Sequence, residues 1–425
     1  MNIFHFVFVF CLTVVTVAIA EDASLKNTCE GAFESGENHL VTIPKFDPGD
    51  GNLRLFFMDF QSGYARILHE ENGQLSAGPS LFSESPAELH VSCGPAVLEW
   101  QISDKKFSAN RIAIRQQQVE MRSGNTGLKG TLYLPAGKPP YPALLLLHGS
   151  GKLTRYSFGP IPYFFSANGF AVLTYDKRGS GESEGNFDDA DFQDFIEDGV
   201  AGISFLRSQK EIDASRIGLW GSSQGGFIAA GVASKVKGIR VLINQSGMFV
   251  PAWKQETYRV RSEMEANGYS SGEINLANDY LNAFFQAGKS GTETDWQKIV
   301  ALKETLKEKE WFDLLPKVDT RDELISFWKK DYSFDPTSEL QQVKCPVRAV
   351  FGSLDRSTPV NDTIENMKKA LKDFDYVIIE KADHALLEAI TGSDREIPAL
   401  KSFAPAAFDV QKKWLLQLMA GSFTQ

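Results

Sequence analysis

Residues 217–230 read Ile-Gly-Leu-Trp-Gly-Ser-Ser-Gln-Gly-Gly-Phe-Ile-Ala-Ala, and few folds can hold such a run. An apolar strand from Arg216 to Trp220 enters a cluster of glycines and serines, and a helical pattern resumes at Phe227. A turn that sharp presses the backbone against neighbouring strands, so the positions flanking Ser223 need glycine. It also leaves the serine hydroxyl exposed above the sheet edge. The spacing Gly221-x-Ser223-x-Gly225 is weak by itself, but a strand before it and a helix after it mark a nucleophile elbow, with Ser222 off the pattern. The helix points its positive N-terminal end at the place where an oxyanion would develop.

The flanking sequence agrees with a parallel sheet. After Gly130, strands alternate with longer helical patterns. Ala143–Leu147, Phe170–Tyr175, Val241–Gln245, Val347–Gly352 and Tyr376–Glu380 are further strand candidates. Phe192, Phe195, Ile196, Val200, Ile203 and Leu206 recur at helical spacing between them. From about 249 to 335 the strand pattern stops and long charged helical segments predict an inserted helical cap. Residues 21–118 differ: short alternating segments such as Leu53–Phe57 and Arg111–Ile114, broken by Gly, Pro and Asn, predict a β-rich domain. The expected plan is a signal peptide over 1–20, the β-rich domain over 21–118, and an α/β domain over 119–425.

A serine hydroxyl needs a base to take its proton. Of the six histidines, His5 lies in the leader, His39, His69 and His90 are scattered through the β-rich domain, and His148 precedes the serine on an early strand. His384 remains, on a loop just after a strand. Folds built on this elbow place the acid between serine and histidine in chain order. Asp355 meets that condition, following the strand that ends at Gly352 so that its carboxylate projects at the same sheet edge. Asp383 is the rival, but adjacent side chains on an extended loop point apart. His148-Gly149-Ser150-Gly151 follows an early strand, where one oxyanion donor belongs, so the backbone N–H groups of Ser150 and Gln224 are the candidate donors and His148 is structural.

The net charge of −10 disfavours nucleic acid and anionic membranes. The apolar run Ile3–Ile19, with the small-residue pattern Ala18-Ile19-Ala20 before Glu21 and Asp22, reads as a cleaved signal peptide, hence export, with an uncleaved anchor as the alternative. No later stretch is long and apolar enough to span a bilayer. Cys29 and Cys93 are free to pair in an oxidising compartment, and Cys345 reads as a buried thiol. No cysteine spacing fits a metal site.

His148-Gly-Ser-Gly, Tyr175-Asp-Lys-Arg-Gly-Ser-Gly-Glu-Ser183, Gly221-Ser-Ser-Gln-Gly-Gly226, Gly352-Ser-Leu-Asp355 and Asp383-His384 together resemble the α/β-hydrolase superfamily. The likeness runs from about Gly130 to the C-terminus. Within it the order and spacing resemble serine aminopeptidase-like hydrolases and two-domain bacterial carboxylesterases with a β-rich N-terminal module. The resemblance implies a mostly parallel sheet with helices on both faces, Ser223, Asp355 and His384 as nucleophile, acid and base, and no cofactor; it does not fix the substrate, for which a small-molecule carboxylic ester is the expectation. Peptidases, amidases and thioesterases of the same fold stay open, as does a non-catalytic binding protein, and oligomeric state is left open. Lys152-Leu-Thr-Arg-Tyr156 departs from the acidic, Pro- and Asp-containing loop expected of the esterases. The cap aromatics, Trp253, Phe284, Phe285, Trp296, Trp311, Phe312 and Trp328, are expected either to favour apolar or aryl substrates or simply to pack the cap core.

Overall fold

The computed structural model describes residues 29–36 and 39–419, so the leader expected over 1–20 lies outside the described residues. Two sheets organise the chain. The first is antiparallel and holds β1 (Gly31–Ser35), β2 (His39–Ile43), β3 (Lys45–Phe46), β4 (Arg54–Asp59), β5 (Ala65–Glu71), β6 (Gln74–Ala77), β7 (Leu89–Cys93), β8 (Val97–Ile102) and β9 (Lys105–Arg111). β1 pairs with β2, each strand from β3 to β8 pairs with its successor, β9 pairs back on β1, and β2 pairs with β4, so the sheet closes into a barrel that leaves β3 beside β4. Closure removes free sheet edges.

Strand alternation sorts the barrel's apolar residues into two sets. Phe33, Val41, Phe57, Leu68, Leu89 and Trp100 fill the barrel with Cys29, which is disulfide-bonded to Cys93. Ala32, Phe56, Met58, Ala65 and Ile67 turn outward into a core shared with the second sheet and its helices. There the Phe60 ring stacks on Phe164 at 4.7 Å and meets Phe408 edge-on at 4.8 Å. A strand apolar on both faces, such as Leu55-Phe56-Phe57-Met58, is the sequence mark of this double duty.

The second sheet has eight strands in the order β10, β11, β13, β12, β14, β15, β16, β17. β10 (Arg115–Ser123) and β11 (Thr126–Leu134) form an antiparallel pair, and β11 joins β13 (Ala171–Tyr175) antiparallel. From β13 the ladder is parallel through β12 (Tyr141–Leu147), β14 (Ile212–Ser222), β15 (Leu242–Gln245), β16 (Val347–Gly352) and β17 (Phe374–Ile379). β14 sits in the middle, so the serine at its end is flanked by strands on both sides. Helices over 252–332 form a separate cap layer with its own core around Val260, Phe284 and Trp311. Among the described residues no helix is long and apolar enough to cross a membrane.

The Cys29–Cys93 bond closes a loop across 64 positions of the barrel. Chain-entropy arguments put the contribution of such a link at about 2–4 kcal/mol. Replacing both cysteines by Ser should lower the denaturant midpoint accordingly, and reductant should lower the wild-type midpoint to the same place.

Candidate active site

Ser223 follows β14 and opens the helix Gln224–Lys235 with φ 52°, a left-handed conformation that costs a non-glycine residue about 1–3 kcal/mol. Its N–H donates to Gln245 O of β15 at 2.8 Å, and its carbonyl accepts from Gly226 N–H at 2.9 Å. A Cβ on Gly225 would lie 2.1 Å from Leu147 O of β12, and one on Gly221 would lie 2.0 Å from Gly225 O. Both flanking glycines are therefore obligatory, as the sharp turn requires.

Three loops bring partners to this turn. His384 Nε2 lies 3.0 Å from Ser223 Oγ, and His384 Nδ1 lies 2.9 Å from each Asp355 oxygen. A carboxylate only accepts, so it fixes the imidazole proton on Nδ1 and leaves Nε2 to accept from the serine. Asp355 is buried after β16, and its Oδ1 also accepts from the backbone N–H groups of Ser357 and Thr358 at 2.9 and 2.7 Å. The rival acid Asp383 turns away: its Oδ1 accepts from Ala385 and Leu387 N–H at 2.9 and 2.8 Å, which shapes the histidine loop. Burial opposes the imidazolium of His384, but the charge and hydrogen bond of Asp355 outweigh it and raise the titration above the ordinary 6.5.

Ser150 and Gln224 line the same cavity as Ser223 and His384. A Cβ on Gly149 would stand 3.5 Å from that of Ser223, so this loop runs against the serine. His148 is buried, donates from Nε2 to Thr154 O at 3.1 Å, and packs on Phe158. Burial, reinforced by the Lys177 charge, holds it neutral well below its ordinary titration, in keeping with a structural role. The unusual Lys152–Tyr156 stretch is anchored by Arg155, which makes a buried fork to Asp176, Nε to Oδ1 at 3.0 Å and Nη2 to Oδ2 at 2.7 Å. His39, His69 and His90 stay on barrel strands, away from the cavity.

The remaining cavity wall was not legible in the sequence. Phe192, Phe227, Met248 and Ala252 supply apolar surface, while Gln255, Glu256, Arg259 and Tyr332 come from the cap segment. Glu256 and Arg259 form a buried ion pair, with Arg259 Nε and Nη2 at 2.8 and 2.7 Å from the two carboxylate oxygens. The cap aromatics go elsewhere. Phe284, Phe285, Trp311 and Phe312 are core of the cap, with Trp253, Trp296 and Trp328 packed against it. Of the two expectations for these aromatics, packing the cap core is the one the structure shows, and the cap faces the cavity with a mostly polar surface.

Residues 123–386 match the family model of X-Pro dipeptidyl-peptidases (S15 family), a span that contains Ser223, Asp355 and His384. The chain belongs to the S15 family. Its parallel sheet and central elbow are those of an α/β-hydrolase. This S15 chain is 36% identical to a thiohydrolase of Aspergillus aculeatus over 30% of its own length and 40% of that protein's. It is 32% identical to esterase EstD of Thermotoga maritima over 26% of its own length and 28% of that protein's. The chain thus spans less than half the length of either. Among solved structures, an esterase of Pyrococcus furiosus is 18% identical, with a TM-score of 0.46, over 72% of this chain and 92% of that one.

Because Asp355 charge sustains the imidazolium against burial, its loss should reverse the sign of the shift. In Asp355→Asn the His384 ring, followed by NMR, should titrate below 6.5, whereas in wild type it titrates above that value. An unchanged midpoint would mean that Asp355 does not govern the histidine.

Proposed function

We propose that the protein is a serine hydrolase that cleaves carboxylic esters through an acyl-enzyme. The observation that carries this reading is the unbroken relay from Ser223 Oγ to His384 Nε2 at 3.0 Å and from His384 Nδ1 to Asp355 at 2.9 Å. His384 takes the Ser223 proton as Oγ attacks the ester carbonyl, and the N–H groups of Ser150 and Gln224 receive the oxyanion. The imidazolium, stabilised by Asp355, gives its proton to the leaving alcohol as the tetrahedral intermediate collapses. Water, deprotonated by the same histidine, then attacks the acyl-enzyme, and collapse returns the acid and free Ser223.

The polar surface of Gln255, Glu256, Arg259 and Tyr332 beside the nucleophile supports a short or polar acyl group over a long aliphatic one. The likeness to a Thermotoga maritima esterase favours an ester, and that to a thiohydrolase keeps a thioester as the second reading. The Cys29–Cys93 disulfide supports an exported protein in an oxidising compartment.

Hydrolysis of p-nitrophenyl esters from acetate to palmitate, beside Ser223→Ala, tests the reading. Turnover should favour the short chains and fall at least about 10³-fold in the variant. Preference for palmitate would move the assignment to a lipase. Fluorophosphonate labelling of Ser223 without ester turnover would shift it to thioesters or Xaa-Pro amides, and neither labelling nor turnover would sink it.

A further inference from the structure

The motif Tyr175-Asp-Lys-Arg-Gly carries a lysine that the mechanism above leaves unused. Lys177 is buried, with only 4% of its surface exposed. Its Nζ lies 2.5 Å from Gly149 O, 3.3 Å from Gly151 O and 2.8 Å from Gln224 Oε1. An ammonium has three N–H donors and no acceptor, so these three oxygens use its full capacity. Among the described residues no carboxylate pairs with it. Asp198, the acid that favours its charged form, is itself committed to Arg178 at 2.5 and 2.8 Å. The other groups facing Nζ are the Phe195 and Phe187 rings, 4.9 and 5.6 Å away, and His148, held neutral by burial.

Two of these contacts reach the residues proposed to bind the oxyanion. Gly149 C=O and Ser150 N–H belong to one peptide unit, which is trans and planar, so its carbonyl and its N–H point in opposite directions. Holding the carbonyl on Lys177 aims the N–H the other way. A cation on the oxygen also polarises the amide, strengthening its N–H as a donor. Gln224, which carries the second N–H, is held by its side chain to the same ammonium.

We infer that Lys177 is a positioning residue of the oxyanion hole, aiming and polarising the Gly149–Ser150 peptide and locking it to Gln224. The inference rests on the serine hydrolase reading of the site. A lysine serving only to fill space would be better replaced by methionine, because a buried ammonium without a counter-charge is costly. Burial lowers its titration to about 7, against the pull of Asp198, a measure of that cost. The negative charge that develops on the carbonyl oxygen during attack is the counter-charge the resting site lacks, so the cation favours the transition state over the ground state.

The test compares Lys177→Met and Lys177→Arg with wild type on p-nitrophenyl acetate and on a trifluoromethyl ketone, whose adduct with serine is an anionic hemiketal. The Met variant should lose about 30-fold or more in kcat with KM within about threefold, and the ketone should weaken by a similar factor. Arginine, which keeps the charge and several donors, should restore part of kcat. A folded Met variant with wild-type kcat, or one impaired only in KM, would overturn the inference. Should the Met variant fail to fold, Lys177→Gln answers the same kcat-against-KM question. Absence in wild type of both Ser223-dependent turnover and fluorophosphonate labelling would sink the hydrolase reading itself, whereas wild-type turnover with an unimpaired Met variant sinks this inference alone.

Discussion

The left-handed backbone at Ser223 is the constraint on which the rest of the site depends. A non-glycine residue stays at φ 52° only when its surroundings over-determine it. Here the neighbouring strands do so through atoms that leave no room for a side chain. β12 presents Leu147 O to Gly225, and β15 presents Asn244 Oδ1 to Gly226, where a Cβ would lie 1.8 Å away. The elbow therefore forms only when the central sheet is complete. The other site loops leave the same edge: Ser150 after β12, Asp355 after β16 and His384 after β17. One parallel register thus fixes four chain segments with respect to one hydroxyl.

Charge around that edge is distributed with similar economy. The three residues after β13 reach the loop after β12 and the helix Phe192–Ser208. Asp176 clamps Arg155 in the loop beyond Ser150, Lys177 holds the Gly149 and Gly151 carbonyls, and Arg178 pairs with Asp194 and Asp198 of the helix Phe192–Ser208. Asp176 and Arg178 meet opposite charges, whereas Lys177 meets only neutral oxygens. Buried ion pairs are strongly destabilising to break, by about 3–5 kcal/mol, so the two outer residues fix the loop while the middle one retains unsatisfied charge.

The sequence disclosed most where chemistry constrains neighbouring residues. The elbow was legible because strand, glycines and helix are contiguous, His384 because the other histidines could be placed elsewhere, and Asp355 because it follows a strand at the right edge. Closure of the barrel was not legible, since β1 pairs with β9 across some eighty residues and alternation alone does not name a partner. Nor was the cavity wall. Glu256 and Arg259 are spaced like an ordinary solvated pair one helical turn apart, and only the packing of the cap turns that face inward. The aromatics left two readings open for the same reason: composition shows that a helix has an apolar face but not which neighbour covers it.

The barrel contributes no residue to the cavity wall, yet its backbone reaches the site through one intermediary. Residues 400–404 lie between barrel and histidine loop and bond to both. On one side Leu81 N–H donates to Leu400 O at 2.8 Å and Phe403 N–H donates to Gly63 O at 2.9 Å. On the other, Glu388 N–H donates to Ser402 O at 2.8 Å and Ala404 N–H donates to Leu386 O at 2.9 Å. Arg66, buried in the barrel wall, adds Nη1 to Lys401 O at 2.6 Å. Asp47 of the barrel domain likewise accepts from Thr154 Oγ1 at 3.0 Å, in the loop that carries Arg155. Loops are held less firmly than the sheet they leave, and an imidazole 3.0 Å from its serine tolerates little displacement. The hydrogen bonds that run from the closed barrel through residues 400–404 to the histidine loop, and from Asp47 to the loop after β12, restrain both against such displacement.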